Sequence, residues 1–159
     1  MARQAGITLI ESLVALLLIS VALLGVAGLQ LLGLQDARDA RWRADAVSLA
    51  TSVADTMRAY SGPGYPDTAS RFEVSGDAAT IAACNGSNDE ICALMKDWKQ
   101  EVARLLPNAR PEVSVQSGDV EKIRIMLRWR QRPPNDDNPL PTCGVEARSG
   151  GCVILETRL

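Results

Sequence analysis

The sequence predicts an α+β fold. One long N-terminal helix, membrane-spanning in its first half and amphipathic in its second, packs on a small antiparallel sheet head with an extra helix. Three observations carry this reading. Ile7 to Leu34 is a run of 28 residues with a single charge, Glu11. Asp36 to Tyr60 continues without proline or glycine and repeats its apolar residues at helical spacing. The second half of the chain holds one more helical pattern and then segments that alternate apolar with polar, the period of half-buried strands.

The first run, at about 1.5 Å per residue, reaches roughly 42 Å as a helix. A bilayer core needs only about 20 apolar residues. The run is apolar on all sides and so has no stripe reserved for water. A cleaved secretory signal would have a shorter apolar region, about 7–15 residues, with small residues after it. An ordinary uncleaved anchor fits the length but not the residues around it, and a buried core helix of this size exceeds what one small domain encloses. Glu11 is the exception inside the run. A charged residue at the centre of a membrane helix costs about 2.5–3.5 kcal/mol, so such a group calls for a partner. The helix N-terminus favours an anion and supplies part of the compensation.

The same helix is expected to run on to Tyr60. Trp42, Ala46, Leu49, Val53, Met57 and Tyr60 share one face, and Asp36, Asp39, Arg43, Asp45 and Arg58 lie opposite. Ser61-Gly62-Pro63-Gly64 ends it. Gly25, Gly28 and Gly33 each weaken a helix by roughly 1 kcal/mol relative to alanine. They read either as points of local bending or as places of close helix packing.

In the head, residues 62–88 read as a surface loop with a short strand at Arg71–Val74. Ser87, Asn88 or Asp89 can cap a helix whose Ile91, Leu94, Met95, Trp98, Val102 and Leu105 fall on one face and which Pro107 ends. Trp98 reads as a core residue. Glu112–Gln116 and Ile123–Arg130 form a hairpin around Ser117-Gly118-Asp119, with Ile123, Ile125, Leu127 and Trp129 buried and Arg124, Arg128 and Arg130 on a solvated basic face. Cys152–Leu159 is the last strand, giving three or four antiparallel strands.

Four cysteines, Cys84, Cys92, Cys143 and Cys152, are an even number at spacings unlike those of zinc sites. Three disulfide pairings are open. Cys84–Cys92 with Cys143–Cys152 is preferred, because each bridge would staple a glycine-containing loop to the element after it. Such bridges belong to an oxidising compartment. Pro133-Pro134-Asn135-Asp136-Asp137-Asn138-Pro139 offers oxygens in a row but lacks the spaced ligands and glycine of a calcium loop, and reads as a solvated turn. No metal and no cofactor are expected.

Composition narrows the function classes. The chain has no histidine, which removes His-based triads, His metal sites and the usual general base near neutrality. No nucleophile motif and no phosphate loop is present, so no enzyme is expected. The formal charge of −2 lacks the basic excess of a nucleic-acid module.

Gly6-Ile7-Thr8-Leu9-Ile10-Glu11, after a short leader containing Arg3, resembles the class III signal of type IV prepilins and pseudopilins. Ile7 stands where that family usually has phenylalanine. The resemblance implies that a prepilin peptidase removes residues 1–6 by cutting after Gly6, that the new amine at Ile7 is methylated, and that Glu11 serves assembly. It also implies a division into leader 1–6, transmembrane and assembly helix 7–34, and a periplasmic head 35–159 that includes the amphipathic half, 35–60. Trp98…Leu105-Leu106-Pro107, Leu127-Arg128-Trp129 and Cys152–Leu159 are similar to the heads of PilV-type minor pilins. That implies a part in type IV pilus assembly within a tip or priming complex. The partners would be other minor pilins, the major pilin, the inner-membrane assembly platform and membrane lipid. The chain would sit first in the bacterial inner membrane and then in the pilus at the cell surface. The alternatives are a pseudopilin of a type II secretion system and a membrane-anchored periplasmic binding domain. Loops 61–88 and 131–151 are where an adhesive ligand would bind.

Overall fold

Helix-forming residues run from the apolar stretch into the amphipathic one without a break, and the computed structural model makes them one helix. α1 spans Leu9–Ala59. The structure describes residues 8–60, 69–78, 90–116, 122–135, 137, 139–144 and 150–158. After α1 come a 3-10 turn (Ala69–Phe72), α2 (Glu90–Leu105), β1 (Arg110–Gln116), β2 (Lys122–Arg130) and β3 (Gly150–Arg158). The chain divides into two units between Arg38 and Asp39.

In the first unit, every described residue up to 37 is exposed. α1 is long and apolar enough to cross a membrane by length and composition. Gly25, Gly28 and Gly33 sit within its unbroken course, with open space where a Cβ would stand.

The second unit is the head. α1 buries Ala46, Leu49, Ala50, Val53, Ala54 and Met57, a stripe narrow enough for close approach because half of it is alanine. α2 buries Ile91, Met95, Trp98 and Val102, spaced four, three and four apart, while Leu94 and Leu105 are half-buried. The sheet contributes Val113, Ile123, Ile125, Leu127 and Trp129 to the same core. A buried directional contact joins the two helices. The Trp98 indole donates to the Leu49 carbonyl at 3.0 Å. Trp98→Phe keeps most of the apolar area and removes that bond, so we expect a loss of about 0.5–1.5 kcal/mol, read as a lower urea midpoint with an unchanged slope.

The sheet order is β1-β2-β3, antiparallel throughout. Arg110 pairs with Arg128 and Gln116 with Lys122 across the hairpin, and Trp129 pairs with Gly151 and Lys122 with Arg158 across the second ladder. β1 starts two residues earlier than the alternation indicates and includes Pro111, which an outermost strand tolerates because its missing N–H is not needed by a neighbour. The short strand expected at Arg71–Val74 is not formed. Arg71 lies in the 3-10 turn, and Val74 alone makes a bridge, to Val113. The reason is local: Phe72 turns into the core, where it is 1% exposed and meets Tyr60 edge-on at 6.0 Å. The expected cap of α2 at Ser87–Asp89 and the turn Ser117–Asp119 lie outside the described residues.

Asn108 joins α2 to the sheet. It takes a φ of +47°, which asparagine accepts more readily than most residues. Its side-chain amide donates to the carbonyls of Arg130 (3.0 Å) and Gln131 (3.2 Å), and the Arg130 N–H donates back to the Pro107 carbonyl (3.1 Å). The end of β2 is thereby tied to the end of α2.

Candidate functional site

The first candidate is the start of α1. The Thr8 carbonyl accepts from the N–H groups of Glu11 (3.0 Å) and Ser12 (3.3 Å), so the helix is already closed at the carboxylate. Glu11 lies in the first turn, where the exposed N–H ends favour an anion. Both serine hydroxyls inside the apolar run are satisfied on their own helix, Ser12 donating to the Leu9 carbonyl and Ser20 to that of Leu16, both at 2.8 Å. A hydroxyl bonded in this way can sit in hydrocarbon without needing another molecule. Glu11 has no ion-pair partner among the described residues, so its carboxylate is the group in this run that an outside cation could serve. Gly6 and Ile7 lie outside the described residues.

The second candidate is the cysteine framework. Cys143 and Cys152 form a disulfide, with Cα atoms 5.0 Å apart, which fastens the segment after β2 to the start of β3. Cys92 is also disulfide-bonded, and Cys84 lies outside the described residues. Among the described residues no cysteine is free, and no group of His, Cys, Asp and Glu could hold a metal ion.

The third candidate is the outer sheet face. Alternation and register place six cations on it: Arg110 on β1, Lys122, Arg124, Arg128 and Arg130 on β2, and Arg158 on β3. Two of the three arginines seen in the β2 pattern meet glutamates from the neighbouring strands. The Arg124 guanidinium donates to Glu156 at 2.8 Å, and Arg128 lies 3.6 Å from Glu112. The first pair is exposed and the second half-buried but long, and such pairs contribute little to stability, about 0–1 kcal/mol each. Their effect is on charge, because they halve the basic stripe visible in β2 alone. Two like-charged pairs remain directly opposed, Arg110 with Arg128 and Lys122 with Arg158. Opposed like charges across strands are unfavourable.

Further polar links hold the head's surface together. Arg58 reaches both Asp55 and the Thr157 hydroxyl, tying the last turn of α1 to β3. The Tyr60 hydroxyl donates to Glu90 at 2.7 Å. On α2 a hydrogen bond from the Arg104 guanidinium holds the Glu101 carboxyl below the usual carboxylate range, and the same contact raises Arg104. The sequence pattern missed the strand-to-strand ion pairs, whose signal was present in Glu112 and Glu156 but needed the register to be read.

Comparison with curated proteins and with solved structures gives no match. Residues 1–27 match the family model described as the prokaryotic N-terminal methylation motif, so the chain opens with the signal of type IV pilins and pseudopilins.

Proposed function

We propose that this chain is a minor pilin that takes part in type IV pilus assembly, within a tip or priming complex, after a prepilin peptidase cuts behind Gly6. The observation that carries the reading is the junction of two things in one helix. The methylation motif covers residues 1–27, and the helix that it opens continues to Ala59 and enters the core of an α+β head. An ordinary anchor has no need of that continuity, whereas an assembly subunit uses the first half as an exchangeable apolar surface and the second to carry the head.

In this reading the freed Ile7 amine is methylated and pairs with the Glu11 carboxylate of a neighbouring subunit. Each charge would be costly alone in an apolar bundle, and pairing also fixes the axial register between subunits. The chain is a non-catalytic subunit, held in the inner membrane with its head in the periplasm and then carried into the pilus. Its partners are the peptidase, the assembly platform, other minor pilins and the major pilin.

Mass analysis of the purified protein's N-terminus tests the reading. The expected result is a chain beginning at methylated Ile7, and one beginning at Met1 would refute it. Gly6→Leu should leave the leader in place, seen as the retained mass of residues 1–6. The same signal opens the pseudopilins of type II secretion systems. Recovery in sheared pili supports the pilus assignment, whereas a secretion defect with normal pili supports the pseudopilin.

A further inference from the structure

The two edges of the sheet are treated differently. The outer edge of β1 is covered by residues 73–78. Val74 and Val113 exchange backbone bonds (3.2 and 2.9 Å), Ala78 donates to Ala109 (2.9 Å), and the Glu73 carboxylate accepts from the Val115 N–H (3.0 Å). No segment among the described residues pairs with the outer edge of β3. β3 is nine residues long, pairs with β2 without a bulge, contains no proline and has Val153-Ile154-Leu155 at its centre. Ile154 is 46% exposed. Long, regular, apolar edges are what proteins usually blunt unless another strand is to be added.

Charge selects the occupant. The outer face carries six cations against two carboxylates, which leaves 11 basic and 17 acidic side chains for the rest of the chain. Arg158 stands on β3 at that edge, with Lys122 opposite it on the central strand β2, and neither has a carboxylate partner among the described residues. A second copy joined edge to edge would set two such basic faces side by side, which opposes self-pairing. A nucleic acid would use the cations but not the backbone groups of the edge.

We propose that the β3 edge is a docking site for an extended acidic segment of a different protein chain, which adds to the sheet as a further strand. Backbone bonds along β3 supply the attachment, and a carboxylate of the added strand beside Arg158 answers that residue and the net positive outer face behind it. The proposal rests on the assembly reading only in taking that chain to be a neighbouring subunit.

The test uses the full-length protein in detergent micelles with a nonapeptide of alternating glutamate and valine. Binding is followed by anisotropy and by hydrogen exchange in residues 150–158. We expect saturable binding that slows exchange along β3, fails when alternate peptide amides are N-methylated, and weakens about tenfold or more in the double variant Lys122→Glu, Arg158→Glu. Both positions are exposed, and an unchanged thermal melt shows that the variant is folded. The proposal is overturned if the peptide does not bind. It is also overturned if the N-methylated peptide binds equally, if a single-stranded oligonucleotide binds in its place, or if β3 is protected by dimerisation. The assay does not depend on leader removal, so this proposal and the assembly reading fail separately.

Discussion

Glu11→Ala will leave the head folded and remove the chain from filaments. Folding is spared because residue 11 lies in the stretch of α1 that is exposed throughout and contributes nothing to the buried core. On the proposed pairing, incorporation is lost because the substitution leaves the neighbour's Ile7 amine without its counter-charge. Breaking a buried pair by removing one partner costs about 3–5 kcal/mol, more than about two factors of ten in an equilibrium. The amount of the protein in sheared filaments, measured against its amount in the membrane, reads this directly. A thermal melt of the same variant should match the wild type. Glu11→Gln should be as poor as alanine, since a neutral amide does not answer an ammonium, and Glu11→Asp should keep part of the activity. Normal incorporation of the alanine variant would falsify the pairing.

Gly151→Ala should be the most damaging single-methyl change in the head. Gly151 faces Trp129 across the second ladder, and the indole lies over the glycine. A Cβ there would fall within 2.8 Å of Cη2 and 2.9 Å of Cε2 of the ring. At Gly150 a Cβ would stand 2.7 Å from the Trp129 carbonyl oxygen, so the two strands approach closely at both glycines. Trp129 is 1% exposed and sits among the largest buried side chains. Overpacking of this kind costs about 1–3 kcal/mol, occasionally more. The urea midpoint should fall accordingly. Trp129→Leu is itself destabilising, because removing much of a buried indole costs up to about 3–5 kcal/mol. Gly151→Ala should nevertheless cost less in the Trp129→Leu background than in the wild type, since its clash is with the ring. A double-mutant cycle measures that coupling. Full additivity would show that the indole does not occupy the place above Gly151.

What the sequence discloses depends on how local the cause is. α1 was legible because its two halves differ in composition within a single chain segment, and α2 because Ile91, Met95, Trp98 and Val102 repeat at helical spacing. The faces of β2 followed from strict alternation. Features set by distant partners were not legible. Neither the seat of the Trp129 ring on Gly151 nor the pairing of Arg124 with Glu156 exists until β3 is in register with β2. The cover over β1 comes from Glu73 and Val74, in a stretch whose own pattern suggested a strand, yet Phe72 drew it into a turn instead. Asn108 looked like an ordinary residue after a proline, and only its left-handed backbone and two carbonyl partners reveal it as the corner between α2 and the sheet.

The boundary between Arg38 and Asp39 falls inside a continuous helix, and this has a consequence for how such a chain changes over time. Residues before it carry the methylation motif and an apolar rod, and in the proposed reading they answer to the machinery that reads the one and to whatever surrounds the other. Residues after it answer to their own core. Substitutions on one side carry little penalty on the other, so a head can diverge, lose a loop or be replaced while the same opening still admits it to its machinery. On the proposed assembly reading, the helix works as an interchangeable handle, and one assembly system could accept many different heads behind it.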